Sequence, residues 1–241
     1  MISRAAISLI VLLLPALALP HTYYPLAEGN YWLLKSTDAE EPEVRLIKIE
    51  AHPQIPDAFL LTRRTNDKAD AFVIKEGTEG IILLEARVHT FFGEAHFVYD
   101  PPQIFFPRDL IIGVSWTVSG RTRIEGADIA TETKATVEGV EDVETPAGFF
   151  RDCLRIWQNY YVGLGSSGAG LWVSGMRMWL APEAGLVKEE TGLTREGKED
   201  PNSKEFLLVE YKVAEEVAIR LSLIHISEPT RPLYISYAVF C

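Results

Sequence analysis

Apolar and polar residues alternate with period two in short runs along most of the chain, and few stretches keep the spacing of a helix. The clearest run is residues 128–143, "DIATETKATVEGVEDV". Thr131, Thr133, Ala135, Val137 and Gly139 share one face, and Glu132, Lys134, Thr136 and Glu138 share the other, as side chains of an extended strand must. Comparable β-rich runs occupy residues 30–35, 44–51, 58–64, 71–76, 80–88, 90–99, 113–120, 149–162, 174–181, 184–191 and 205–214. Turn signals separate several of them: "KEGTEG" (75–80), "TPAG" (145–148) and "APEAG" (181–185) put glycine, and in two cases proline, where a tight reversal needs fixed or positive φ. The proline-rich "HPQIPD" (52–57) and "DPPQIFFPRDL" (100–110) read as loops. Only "EYKVAEEVAIR" (210–220) carries a trace of helical spacing. The pattern predicts an all-β domain built on a single antiparallel, strongly curved sheet, a half-barrel or open barrel, with a β-sandwich as the alternative.

The two ends depart from this pattern. Residues 1–18 comprise Met1-Ile-Ser-Arg4, an apolar run and then Pro15 with the small-x-small Ala16-Leu17-Ala18. This is the order of a cleaved export signal, and the apolar run is too short for a membrane span. Residues 221–241 do not continue the strand pattern and resemble one reading frame of a transposase-based sequencing adaptor. The expected unit is therefore one β-rich domain over residues 19–220, with no transmembrane segment once the signal is removed.

Charge and cysteine narrow the function. The 241-residue chain has a formal net charge of −11. An acidic surface repels phosphate backbones, so nucleic acid is excluded as a partner. Without Cys241 in the tail, Cys153 stands alone, so the domain has no intramolecular disulfide and must rely on its core. Within "FFRDCLRIW", Cys153 reads as a small buried hydrophobe.

Chemistry is sparse. Gly163-Leu-Gly165-Ser-Ser-Gly168 is a literal G-x-G-x-x-G, but a dinucleotide site needs a helix directly after it, and the glycine-rich stretch beyond Gly168 predicts none. A flexible hairpin loop, or a lip over a cavity, fits better. His89 and His96 flank "TFFGEA" with Glu94 between them, a weak candidate metal set; no zinc or metalloprotease spacing occurs. The aromatics say more. Trp116, Trp157, Tyr160, Trp179, Phe92 and Phe97 fall on strand-like runs and Trp172 just ahead of one; in a β protein large rings either fill a core or line an apolar chamber.

Three stretches resemble a family of exported bacterial β-rich proteins of unknown function. "YYPLAEGNYW" (23–32) is similar to their Y-x-P-L-x-x-G-x-x-W, "VETPAGFFRDCLRI" (143–156) to their P-A-G-x-F hairpin, and "MWLAPEAGLVKEE" (178–190) to their W-x-A-P-x-x-G-L-V-K hairpin. The resemblance implies a curved antiparallel sheet, similar to the half-barrels (the LolA and LppX type) that carry lipoproteins or lipids across the periplasm. It brings no catalytic residue, and the lipoprotein cysteine common in such proteins is missing here. The expectation is a soluble periplasmic or secreted, non-enzymatic protein without a cofactor. Its concave apolar face would take a hydrophobic small molecule, a lipid or a segment of an envelope protein. The alternatives are a structural or interaction module of the cell envelope with a filled core, and a metal-dependent enzyme built on His89, Glu94 and His96.

Overall fold

The computed structural model describes residues 22–214 apart from 39, 67, 91, 92, 125, 165–170 and 200. Residues 1–21 and 215–241, which hold the expected export signal, the adaptor-like stretch and the second half of "EYKVAEEVAIR", lie outside the described residues. Twelve strands succeed one another in order: Tyr31–Ser36 (β1), Val44–Ala51 (β2), Ala58–Arg64 (β3), Ala69–Gly77 (β4), Gly80–Thr90 (β5), Gly93–Pro107 (β6), Ser115–Ile124 (β7), Ala127–Thr145 (β8), Gly148–Leu164 (β9), Leu171–Ala181 (β10), Gly185–Leu193 (β11) and Lys204–Lys212 (β12). All belong to one antiparallel sheet in the order β6-β5-β4-β3-β2-β1-β12-β11-β10-β9-β8-β7. The curved single sheet is thus the architecture adopted, and the sandwich is not. No helix occurs among the described residues.

β1 pairs with both β2 and β12, so the first and last strands sit in the middle of the sheet. The two edges, β6 and β7, are consecutive in sequence and curl back against each other, leaving a nearly closed barrel. No backbone ladder joins them among the described residues. Side chains bridge the seam instead. Gln103 Nε2 donates to the Ser119 carbonyl and Gln103 Oε1 accepts from the Ser119 amide, both at 2.7 Å. Trp116 Nε1 donates to the Phe105 carbonyl at 3.0 Å, and Thr122 Oγ1 to the His96 carbonyl at 2.6 Å. A Cβ on Gly120 would lie 2.7 Å from the Phe97 ring, so the missing side chain is what lets β6 and β7 approach.

Two stretches depart from the sequence pattern. Residues 100–110 are not a loop, because β6 continues to Pro107. The ladder passes from Glu85↔Val98 to Leu83↔Gln103, so Pro101 and Pro102 occupy a bulge on an edge strand, where a missing N–H costs no ladder bond. Nor is 90–99 one strand. Thr90 pairs with Gly93 across a reversal, and Gly93 has φ +113°.

The three predicted glycine turns connect β4 to β5, β8 to β9 and β10 to β11. At the end holding the last two, the main core packs Trp32, Leu34, Ile49, Leu180, Phe206 and Leu208, all 0 % exposed. Each such side chain contributes about 1.5–3 kcal/mol by leaving water. The Trp32 indole donates to the Ala184 carbonyl at 2.5 Å. Gly185, at φ +83°, leaves no room for a Cβ, which would stand 2.7 Å from the Trp32 ring. The sequence stretches around Trp32 and Pro182 therefore meet and seal this end. A smaller cluster of Ala86, Ala95, Phe97, Ile124, Ile129 and Val162 lies toward the opposite end, where β5–β6, β7–β8 and β9–β10 reverse.

Candidate functional site

Between the two clusters the barrel is not filled. An interior cavity of about 400 Å³ opens to solvent, within the size range of small-molecule sites. Its wall has two characters. On β4–β7 it is largely apolar, with Phe72, Leu83, Phe97, Phe105, Trp116 and Val118 among its residues, and Asp70 and His89 its ionisable members. On β8–β11 it carries the uncharged polar side chains Thr131, Thr133, Gln158, Ser174 and Thr191, with Met176 and Met178 between them. Alternation explains both walls: Thr131 and Thr133 continue the face of Ala135 and Val137, which are 2 % and 1 % exposed.

Charge enters at one place. Glu189 of β11 is 1 % exposed and lines the cavity. Its Oε1 accepts from Arg63 Nη2 of β3 at 2.5 Å and lies 2.8 Å from Arg45 Nη1 of β2. The Arg45 guanidinium stacks over the Phe206 ring at 3.5 Å, and its Nη2 donates to Thr191 Oγ1 at 3.4 Å. Burial pushes the Glu189 carboxyl up, but the guanidinium groups of Arg63 and Arg45 and their hydrogen bonds outweigh it and hold the group below its ordinary value. Glu189 Oε2, also buried, has no hydrogen-bond partner. Tyr24 lies beside this group. Burial pushes its hydroxyl up, and the Arg63 charge partly opposes that. Asp70 faces Arg63 across the β3–β4 ladder and accepts from the His89 amide at 2.8 Å.

The sequence-nominated residues divide by strand parity. Phe97, Trp116 and Tyr160 line the cavity. Trp157 and Trp179 do not, and their nomination is corrected: they alternate with the inward Gln158 and Met178 and so face away. Arg177 lies over the Trp157 ring at 5.3 Å, Lys188 over the Trp179 ring at 4.5 Å, and the Trp179 indole donates to Glu141 Oε1 at 2.5 Å. Phe92 and the side chain of Trp172 lie outside the described residues. The weak metal set is not assembled: His89 Nδ1 lies 3.4 Å from Asp70, whereas His96 Nε2 lies 3.1 Å from Glu85. No group of three His, Cys, Asp or Glu among the described residues could hold a metal ion. Residues 165–170, which hold most of the G-x-G-x-x-G, also lie outside them. Beyond them the chain is strand, not helix: Leu171 of β10 pairs with Val162 of β9, so a dinucleotide turn has no helix N-terminus to offer.

Cys153 is fully buried, and burial pushes its thiol up to about 12, so it is protonated and unreactive at neutral pH. A shallower, more open depression of about 520 Å³ runs over Arg121, Glu132, Lys134 and Tyr161; its charged side chains are in water. Sequence reading missed Arg45, Arg63 and Glu189. A signal was present, because each shares period-two parity with buried neighbours: Arg45 with Ile47 and Ile49, Arg63 with Leu61, and Glu189 with Val187.

No protein-family model matches the chain, and no curated protein matches it in sequence. Three solved structures are similar in shape. One is described as a lipoprotein from Parabacteroides distasonis, with 17% identity and a TM-score of 0.43 over 80% of this chain and 99% of that one. Another is described as an exported protein with a YmcC-like fold from Bacteroides fragilis, with 12% identity and a TM-score of 0.36 over the same shares of the two chains. A third is the hypothetical lipoprotein YmcC from Escherichia coli, with 10% identity and a TM-score of 0.38 over 76% of this chain and 85% of that one. Likeness at this level does not assign the chain to a family. Among the described residues, no helix is long and apolar enough to cross a membrane.

Proposed function

We propose that this protein is an exported, non-enzymatic binding protein of the bacterial cell envelope, and that its barrel interior takes a hydrophobic or amphipathic ligand. The observation that carries the proposal is the 400 Å³ cavity with the half-buried rings of Phe72, Phe105 and Trp116 on one wall. Large rings exposed to an open cavity lose the packing that a filled core would give them, and an apolar occupant restores it. The competing reading, an interaction module with a filled core, has no such cavity to account for. Export rests on the leader pattern of residues 1–18. A non-enzymatic role fits a protonated, buried Cys153 and histidines engaged by separate carboxylates.

Native mass spectrometry of protein recovered from the envelope, before and after organic extraction, tests the reading. A bound apolar species released by extraction supports it. A ligand-free protein that also ignores the neutral dye Nile red refutes it.

A further inference from the structure

We propose that the cavity selects a single-chain amphiphile whose head is uncharged and rich in hydroxyls, a monoacylglycerol being the simplest example; this rests on the binding role proposed above. Glu189 is the deciding residue. Both guanidinium groups engage the same carboxylate oxygen, Oε1. The other oxygen is buried, belongs to a cavity-lining residue and has no hydrogen-bond partner, and Arg45 Nε and Nη1, buried beside this carboxylate, have none either. A buried carboxylate oxygen without a donor costs free energy that a hydrogen-bond donor would recover. An occupant that satisfies this spot must therefore both donate and accept.

Charge decides which kind of donor. Around the spot stand Arg45 and Arg63 against Glu189 and Asp70, two positive groups and two negative, with the His89 ring, charged only when protonated, 3.4 Å from Asp70. An anionic head would meet the Glu189 and Asp70 carboxylates at close range, and a cationic head the two guanidinium groups. Neither gains net attraction in a site already balanced. A hydroxyl can donate to Glu189 Oε2 while accepting from a remaining Arg63 N–H. The rest of the polar wall agrees, since Thr131, Thr133, Gln158, Ser174 and Thr191 are all neutral and all both donate and accept. Opposite them, away from Asp70 and His89, the β4–β7 wall offers apolar and aromatic surface around Phe72, Leu83 and Val118, which suits an acyl chain.

Tryptophan fluorescence titration of the full chain tests this with three probes sharing one chain length: monolauroylglycerol, laurate and dodecyltrimethylammonium, each below its micellar concentration. Monolauroylglycerol should bind about tenfold more tightly than either charged probe, a difference of about 1.4 kcal/mol. Free glycerol should not compete. In Glu189→Gln the negative charge is gone, and laurate should gain about tenfold relative to monolauroylglycerol. If that variant does not fold, the wild-type ranking alone decides. Laurate or dodecyltrimethylammonium binding as well as or better than monolauroylglycerol overturns the head-group assignment. Nile red uptake separates the two failures: dye binding without head-group preference sinks this inference alone, whereas no uptake sinks the binding role with it.

Discussion

Replacing Glu189 with glutamine removes the one carboxylate that neutralises two guanidinium groups inside the barrel. Arg45 is 8 % exposed and would keep only the weaker attraction of Glu43, whose carboxylate is already engaged by Lys204. Breaking a buried pair by deleting one partner costs about 3–5 kcal/mol, because the surviving charge stays desolvated. Arg63 has 25 % of its side chain in contact with water and can turn outward, so only Arg45 bears the full penalty. The expected loss is therefore at the low end, about 3 kcal/mol, which for a domain of this size lowers Tm by roughly 6–12 °C. Urea unfolding at neutral pH should show it as a lower midpoint at unchanged slope. The effect carries a pH signature. Glu189 is held below its ordinary value of 4.5, so its stabilisation is complete above that pH and is lost as pH falls through the folded-state value. Wild type and Glu189→Gln should therefore converge on acidification. Replacing all three groups together by Met or Leu should recover most of the loss. A deficit under about 1 kcal/mol at neutral pH, or one that persists unchanged in acid, refutes the reasoning.

Other outcomes depend on single contacts. Gly185→Ala forces a Cβ into the Trp32 ring at φ +83° and should cost about 2–4 kcal/mol from strain and overpacking together, read by chemical denaturation. Gly120→Val should push Phe97 off β7 and open the β6–β7 seam; hydrogen exchange should speed up in Gly93–Pro107 and Ser115–Ile124 and leave the β1–β12 pair slow. In a Cys241→Ser background, the buried Cys153, its thiol pushed up to about 12, should resist alkylation at neutral pH until denaturant unfolds the barrel. N-terminal sequencing of exported protein should find the chain cut after Ala18; an intact leader on exported material would contradict the signal reading.

Much of the fold was legible in the alternation of residues. Thr131, Thr133, Ala135 and Val137 lie inward as their spacing requires, and the turns at 75–80, 145–148 and 181–185 connect hairpins as their glycines demand. The aromatic residues were only half informative, because composition counts rings and parity aims them. Trp116 and Tyr160 face the cavity while Trp157 and Trp179 face the ion-pair network outside. The loop expected at 100–110 became an edge strand because a proline is costly only where a neighbour needs its N–H, and a sequence does not say which strand is an edge.

Strand identity, strand faces and most reversals are thus local matters, set by side-chain period and turn chemistry within a few residues. Closure and the site are not. Arg45, Arg63 and Glu189 come from β2, β3 and β11, and they meet only because β1 inserts between β2 and β12 and the sheet curls until the β6 and β7 edges face each other. That curvature arises from register, bulges and the absent side chain at Gly120, which act over the whole sheet at once. The interior charge cluster and the cavity beside it are properties of tertiary structure for that reason.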